Sequence, residues 1–370
     1  MKHLSPQDVA RRRRRRWAAP VGVAVIAAGT AAGLLASCDG HGHAKAVPTT
    51  VTTVAPTTTA APTTVAAVRT SPLTGLPQPD AALIDRPAVV VKIDNVDQAR
   101  PQTGINQADV VYEELVEGGL TRLAAVFQSD YPDVIGPVRS GRLTDSAICD
   151  DLNHPVFAYS GTNNVFLPIL RSQPLTDVDD SNHPSFFYRS DLAAAPHNLY
   201  SDVIKLATAD TSHTPPPPLF SFRPRGTPFT GAGVSPAAGI SISFPAASIQ
   251  WTYSWATGQW LRDQNGTRDV DRAGVQVAAE NVVVQFVHYA DSGTETGEGQ
   301  PPTPIPEGDL VGSGQVWVFS AAHLVKGSWS RSGLTSTTRF VDDAGSPILL
   351  APGRTWVELV PIGRIPTVQL

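Results

Sequence analysis

The chain has 370 residues, of which 41% are hydrophobic, 7% aromatic and 16% charged, with 30 Gly and 33 Pro; it is long enough for one large or two ordinary domains. It has no G-X-Y period, one long apolar run and two cysteines, which excludes a collagen, a multi-span membrane protein and a disulfide scaffold. Formal charge is −5, but the first 16 residues hold seven basic side chains and one acidic, so the remainder stands at −11 and argues against nucleic acid as a partner.

Residues 1–37 read as an export signal. Arg11 to Arg16 form a basic n-region, and Ala18 to Ser37 is an uncharged stretch of apolar and small residues. Leu35-Ala36-Ser37-Cys38 resembles the bacterial lipobox, in which the Cys is acylated and becomes the first mature residue. Two acyl chains on one Cys would anchor the protein to the membrane. An uncleaved spanning helix is the alternative, since about 20 apolar residues can cross a bilayer. Both readings put the rest of the chain on the outer face of the cytoplasmic membrane by the positive-inside rule. With Cys38 acylated, Cys149 is left without a partner and reads as a small buried hydrophobe.

Residues 38–71 hold Cys38 and a Thr/Pro/Ala tether that cannot build a core. Order is expected from Pro72, in a layered α/β region over 72–214 with a mixed sheet. A Pro-rich linker over 215–240 and a mostly β, sandwich-like region over 241–370 follow.

In the first region the apolar run AVVVKIDN is a predicted buried strand. DVVYEELVE and LTRLAAVFQSD flank Gly118-Gly119 as a predicted hairpin. A two-residue turn sets Leu115 opposite Arg122. Glu113 and Glu117 are then its diagonal neighbours on a polar face, and Glu114 lies on the apolar face, where it needs a partner. PVFAYS is a further strand. Ser140 to Leu152 reads as a helix with Leu143, Ala147, Ile148 and Leu152 on one face and Ser140 as N-cap. A second helix is expected from His197-Asn198 through Val203, Ile204 and Leu206. Beyond the prolines, ISISF, SIQWTYSW, QWLRD, NVVVQFVHYA, GQVWVFSAA, TTRFVDD and TWVELV are short strands separated by turns.

Three polar clusters carry candidate chemistry. The hairpin supplies Glu113, Glu117 and Arg122, either as a site or as a solvated face with surface ion pairs. Arg139 and Arg142 flank the expected helix start, where an anion could bind, or they pair with the hairpin carboxylates. His197 is a candidate acid or base, or a hydrogen-bonded structural histidine. Trp251, Tyr253 and Trp255 alternate on one strand as a carbohydrate platform or as core. No nucleophile elbow, zincin, phosphate-loop or calcium-loop motif occurs, and neither a metal nor a cofactor is expected.

Ala99-Arg100-Pro101-Gln102-Thr103-Gly104, Val116-Glu117-Gly118-Gly119-Leu120-Thr121-Arg122, Gly136-Pro137-Val138-Arg139-Ser140-Gly141-Arg142 and Ala195-Pro196-His197-Asn198-Leu199-Tyr200 resemble, as a set, the YerB-like lipoproteins of the DUF3048 family. Asn281-Val282-Val283-Val284 and Pro352-Gly353-Arg354-Thr355-Trp356 are similar to that family's C-terminal domain. The resemblance implies an envelope lipoprotein with a layered α/β domain and a separate C-terminal domain, and no transferable activity. It also favours a shared site over a solvated face. The candidate ligand-binding set is Asn95, Arg100, Gln102, Glu113, Glu117, Arg122, Arg139, Ser140, Arg142, His197 and Asn198.

Three function readings follow. One is binding of an anionic envelope ligand. Another is hydrolysis of a cell-wall polymer with Glu117 or Glu113 and His197 as acid and base. The last is a noncatalytic scaffold for a protein partner.

Overall fold

The structure, a computed structural model, describes residues 69–163, 166–295 and 302–370. The export signal, Cys38 and nearly all of the tether lie outside the described residues. Val89–Asp94 (β1) is built of β-branched residues interrupted by Lys92 and Asp94, and all six of its residues are buried. Val110–Leu115 (β2) and Thr121–Phe127 (β3) form the expected hairpin, and β3 pairs antiparallel with β1. Val156–Tyr159 (β4) runs parallel to β1, and Thr176–Asp179 (β5) parallel to β4.

The sheet continues past β2 into the second half of the chain. Thr355–Pro361 pairs parallel with β2 on one side and with Asn281–Val287 on the other. Gly312–Ser320, His323–Arg331 and Arg339–Asp342 extend it antiparallel, and with Ser235–Pro236 it has eleven strands among the described residues. A first half with a mixed sheet and a mostly β second half agree with the fold class expected from sequence.

A six-stranded sheet, with Gly239–Ser243, Ser248–Ser254 and Gln259–Gln264 at its centre, covers one face of the large sheet. Trp251 packs edge-on to Trp356 at 5.3 Å, and Trp260 edge-on to Phe319 at 5.7 Å. The helix Leu143–Cys149 lies among the side chains of the other face, with Ala147 and Ile148 beside Val90, Val110 and Phe157. Cover on both faces is why the central strands read as unbroken apolar runs. The proline-rich stretch 215–240 is itself packed. Leu219, Phe220 and Phe229 are buried, and Ser235–Pro236 adds to the strand His323–Arg331.

Three local expectations are corrected. The hairpin turn has three residues, Glu117–Gly119, closed by Val116 N–H donating to Leu120 O at 2.8 Å, so Arg122 faces Glu114 and not Leu115. A one-residue change of register exchanges faces, so Glu114 joins Arg122 while Glu113 joins Thr121 and Leu123. The helix begins at Leu143, with Arg142 as N-cap in place of Ser140. The Arg139-Ser140-Gly141 backbone bonds outside any helix: Arg139 N–H donates to Lys92 O, and Gly141 N–H to Gly161 O. Finally, His197-Asn198 does not open a helix. Leu199–Ser201 is a strand paired with Phe187–Arg189, and the helix is only Val203–Ala207, capped by Asp202.

Candidate functional site

Register builds the site. Asp94 on β1 and Glu114 on β2 both lie directly opposite Arg122 on β3, so all three project to the helix-covered face. Lys92, two residues before Asp94, shares that face. Its ammonium is fully buried, joined to Glu114 and, at 2.7 Å, to Asp145 of the helix. One cation between two carboxylates leaves a buried excess of negative charge. Burial, then Asp145, therefore push the Glu114 carboxyl well above its usual range, with Lys92 opposing. Asp145 also accepts from Arg142 N–H at 2.6 Å, which fixes the helix start.

At the carboxyl end of β1 the site opens to solvent. The Asp94 carboxylate is 2% exposed and meets Arg139 Nε at 3.0 Å and His197 Nδ1 at 2.7 Å. Arg142 is paired with Glu117 at 2.7 Å. Arg122 donates through Nη1 to the Ser140 carbonyl at 3.0 Å and, among the described residues, has no ion-pair partner of its own. Burial, then Arg142, lower its pKa to about 10. Glu117 and Asp94 pull the other way, and Arg139 adds to the lowering. Three guanidiniums face two carboxylates, so the rim keeps a net positive charge. β1, β4 and β5 are parallel, so this rim lies at the carboxyl ends of a parallel set, where open α/β sheets commonly take ligands.

Arg122, Arg139, Ser140, Arg142, Glu117 and His197 are thus brought together, as grouping the polar motifs required. Asp94 and Lys92, which organise them, are absent from the set chosen by sequence; two charged residues inside a buried apolar run were the signal. The helix adds no free N-terminus for an anion, because Asp145 already occupies it.

The other candidates do not join them. Glu113 is fully buried on the opposite face, bonded to Arg262 at 2.7 Å, to Asn95 at 3.0 Å and to the Thr121 hydroxyl at 2.8 Å. Arg262 is held also by Asp269, and these carboxylates outweigh its burial and raise its pKa. Gln102 donates to the Asp94 carbonyl at 3.1 Å from this interior side. Arg100, mostly buried, meets Asp97 at 2.6 Å and Asp269 at 3.9 Å, and Asn198 bonds Arg189 at 2.8 Å within its own hairpin. Glu113, Asn95 and Gln102 therefore act as cross-sheet fasteners, a role that register alone assigns. Trp251 is core, whereas Trp255 lies past the strand end and is 77% exposed.

Two family models match in order. One, described as a protein of unknown function (DUF3048) N-terminal domain, covers residues 73–215, and its C-terminal counterpart covers residues 240–357. The chain belongs to the DUF3048 family. A similar curated protein is the "Putative lipoprotein YerB" of Bacillus subtilis (strain 168), 27% identical over 304 residues, spanning 79% of this chain and 86% of that one. A crystal structure of the B. subtilis YerB protein matches with a TM-score of 0.68 at 23% identity, over 82% of this chain and all of the other, which shows the shared DUF3048 fold. Among the described residues no helix is long and apolar enough to cross a membrane.

Proposed function

We propose that this DUF3048 protein is an envelope lipoprotein, anchored through Cys38, that binds an anionic envelope ligand in the cleft of Arg122, Arg139 and His197. The lipoprotein name of its B. subtilis relative and the lipobox-like Leu35-Ala36-Ser37-Cys38 support the anchor. The observation that carries the ligand class is Arg122. It is a half-buried cation that forms no ion pair among the described residues, whereas Arg139 and Arg142 each pair with a carboxylate. An anion between Arg122 and Arg139 would give Arg122 an ion-pair partner and match the geometry guanidinium groups bind best. A phosphate or a carboxylate fits equally.

The test is the unfolding temperature of residues 69–370, which carry the described core, against inorganic phosphate, pyrophosphate and soluble muropeptides. A probe at about 100 times its dissociation constant should add about 2.7 kcal/mol. The gain should vanish in Arg122→Gln. A gain that survives this substitution, or none with any probe, would sink the reading.

A hydrolase reading keeps one supporting observation. His197 is oriented through Nδ1 by Asp94, which leaves Nε2 available for proton transfer. Glu113, bonded in the interior, offers such a reaction nothing, and Glu117 would have to leave Arg142. Turnover of a muropeptide, lost in His197→Gln with binding retained, would favour this reading.

A further inference from the structure

A cavity of about 550 Å³ lies away from the arginine cluster, lined from both halves of the chain by residues that include Gln107, Asp130, Arg225, Gln259, Glu280 and Arg354. Its wall is a fixed set of planar polar groups. Gln259 Nε2 donates to Glu280 Oε1 at 2.8 Å, and Arg354 N–H to Glu280 Oε2 at 2.6 Å. Gly353 leaves room for Glu280, since a Cβ there would come within 2.5 Å of it. Gln107 and Asp130 bond each other at 3.2 Å on the exposed side.

Thr257 and Gly258, which also line this cavity, belong to the turn that carries Trp255. Trp255 is 77% exposed, the most exposed of the large aromatic side chains among the described residues. Its ring is held edge-on against Tyr253 at 5.0 Å, and Tyr253 packs in the same way on buried Trp260 at 5.4 Å. The indole is therefore oriented by the core and still open to solvent.

We propose that this cavity and Trp255 form a glycan-binding site. A sugar ring has an apolar face of C–H groups and a rim of hydroxyls. The first stacks on an aromatic ring, and the second needs planar side chains that both donate and accept. The turn beside the cavity offers a fixed ring, and the cavity wall offers amide, carboxylate and guanidinium groups. At about 550 Å³ the space is within the range of small-molecule sites, roughly 300–1,000 Å³. Opposite charges are mixed on the wall, which suits a polyhydroxylated ligand better than a simple anion. This inference does not depend on the arginine cleft, since the two sites share no residue.

The experiment is calorimetric titration of the full chain with chitotetraose, cellotetraose and maltotetraose. One or more should bind with a dissociation constant in the millimolar range or tighter. Trp255→Ala should weaken it by roughly tenfold, the loss expected on removing one stacked ring. Gln107→Ala should also weaken it, and Arg122→Gln should leave it unchanged. Trp255 and Gln107 are both exposed, so both variants should keep the wild-type unfolding temperature. The sugar preferred among the three sets the class of glycan. Absence of binding to all three, or binding indifferent to Trp255→Ala, overturns the proposal.

Discussion

The fully buried charges are tied down by specific partners, and Lys92 is the clearest case. Its ammonium serves Glu114 and Asp145 at once. Removing one member of a buried ionic group leaves uncompensated charge, which costs about 3–5 kcal/mol. Lys92→Met should lower stability by that amount in urea unfolding. Adding Glu114→Gln should recover part of the loss, because the new amide can donate to Asp145. A single-variant cost below about 1 kcal/mol would mean that the site is neutral or wet. Arg142 sits one step further out. With Glu117 it is mostly buried yet touches the rim, so it links the structural layer to the binding layer.

The hairpin turn shows how one element sets the chemistry of the molecule. Gly118 and Gly119 both have positive φ, 71° and 77°. They differ in surroundings. A Cβ on Gly118 would meet nothing, whereas one on Gly119 would come within 2.6 Å of Pro245, in the turn between two strands of the six-stranded sheet. The Gly119 carbonyl also accepts from Ala246 N–H at 2.9 Å. Gly118→Ala should therefore cost only the backbone penalty, about 1–2 kcal/mol. Gly119→Ala should cost clearly more in guanidinium unfolding and loosen the contact between the sheets. Equal costs would mean that Pro245 gives way. The three-residue turn was not readable from Gly-Gly alone, because that pair also suits a two-residue hairpin. The step from one to the other moved Glu113 into the interior and Glu114 beside Arg122.

On the scale of the whole molecule, the final long strand joins the halves. Thr355–Pro361 lies between β2 and Asn281–Val287, so the main sheet draws strands from both matched family regions. Burial of acids within this single fold gives it a definite pH response. Burial pushes Asp151 up to about 7, against the pull of Arg331, and Asp109 up to about 6 despite the hydrogen bonds to its carboxylate; Glu114 is raised as well. A carboxyl raised in the folded state holds its proton where the unfolded chain has released it. Stability from these groups is then present at low pH and falls as pH rises from about 4 to about 7. The unfolding temperature should be higher at pH 5 than at pH 8, and Asp151→Asn should flatten the difference. An unfolding temperature that rises over this interval would contradict the raised carboxyls.

What the sequence determined by itself is whatever depends on local pattern. Apolar period and turn residues gave most of the strands, the fold class and the buried face of the helix. Ordered motifs gave the family. What tertiary structure decided is whatever depends on which residues lie across from one another. Strand pairing made Asp94 and Lys92 the organisers of the cleft and sent Glu113, Asn95 and Gln102 to the interior. It also set Arg100 between Asp97 and Asp269, and Gln259, Glu280 and Arg354 around one cavity. Side-chain direction alternates at every residue along a strand, so one residue of turn length, invisible in composition, decides which carboxylate meets which cation.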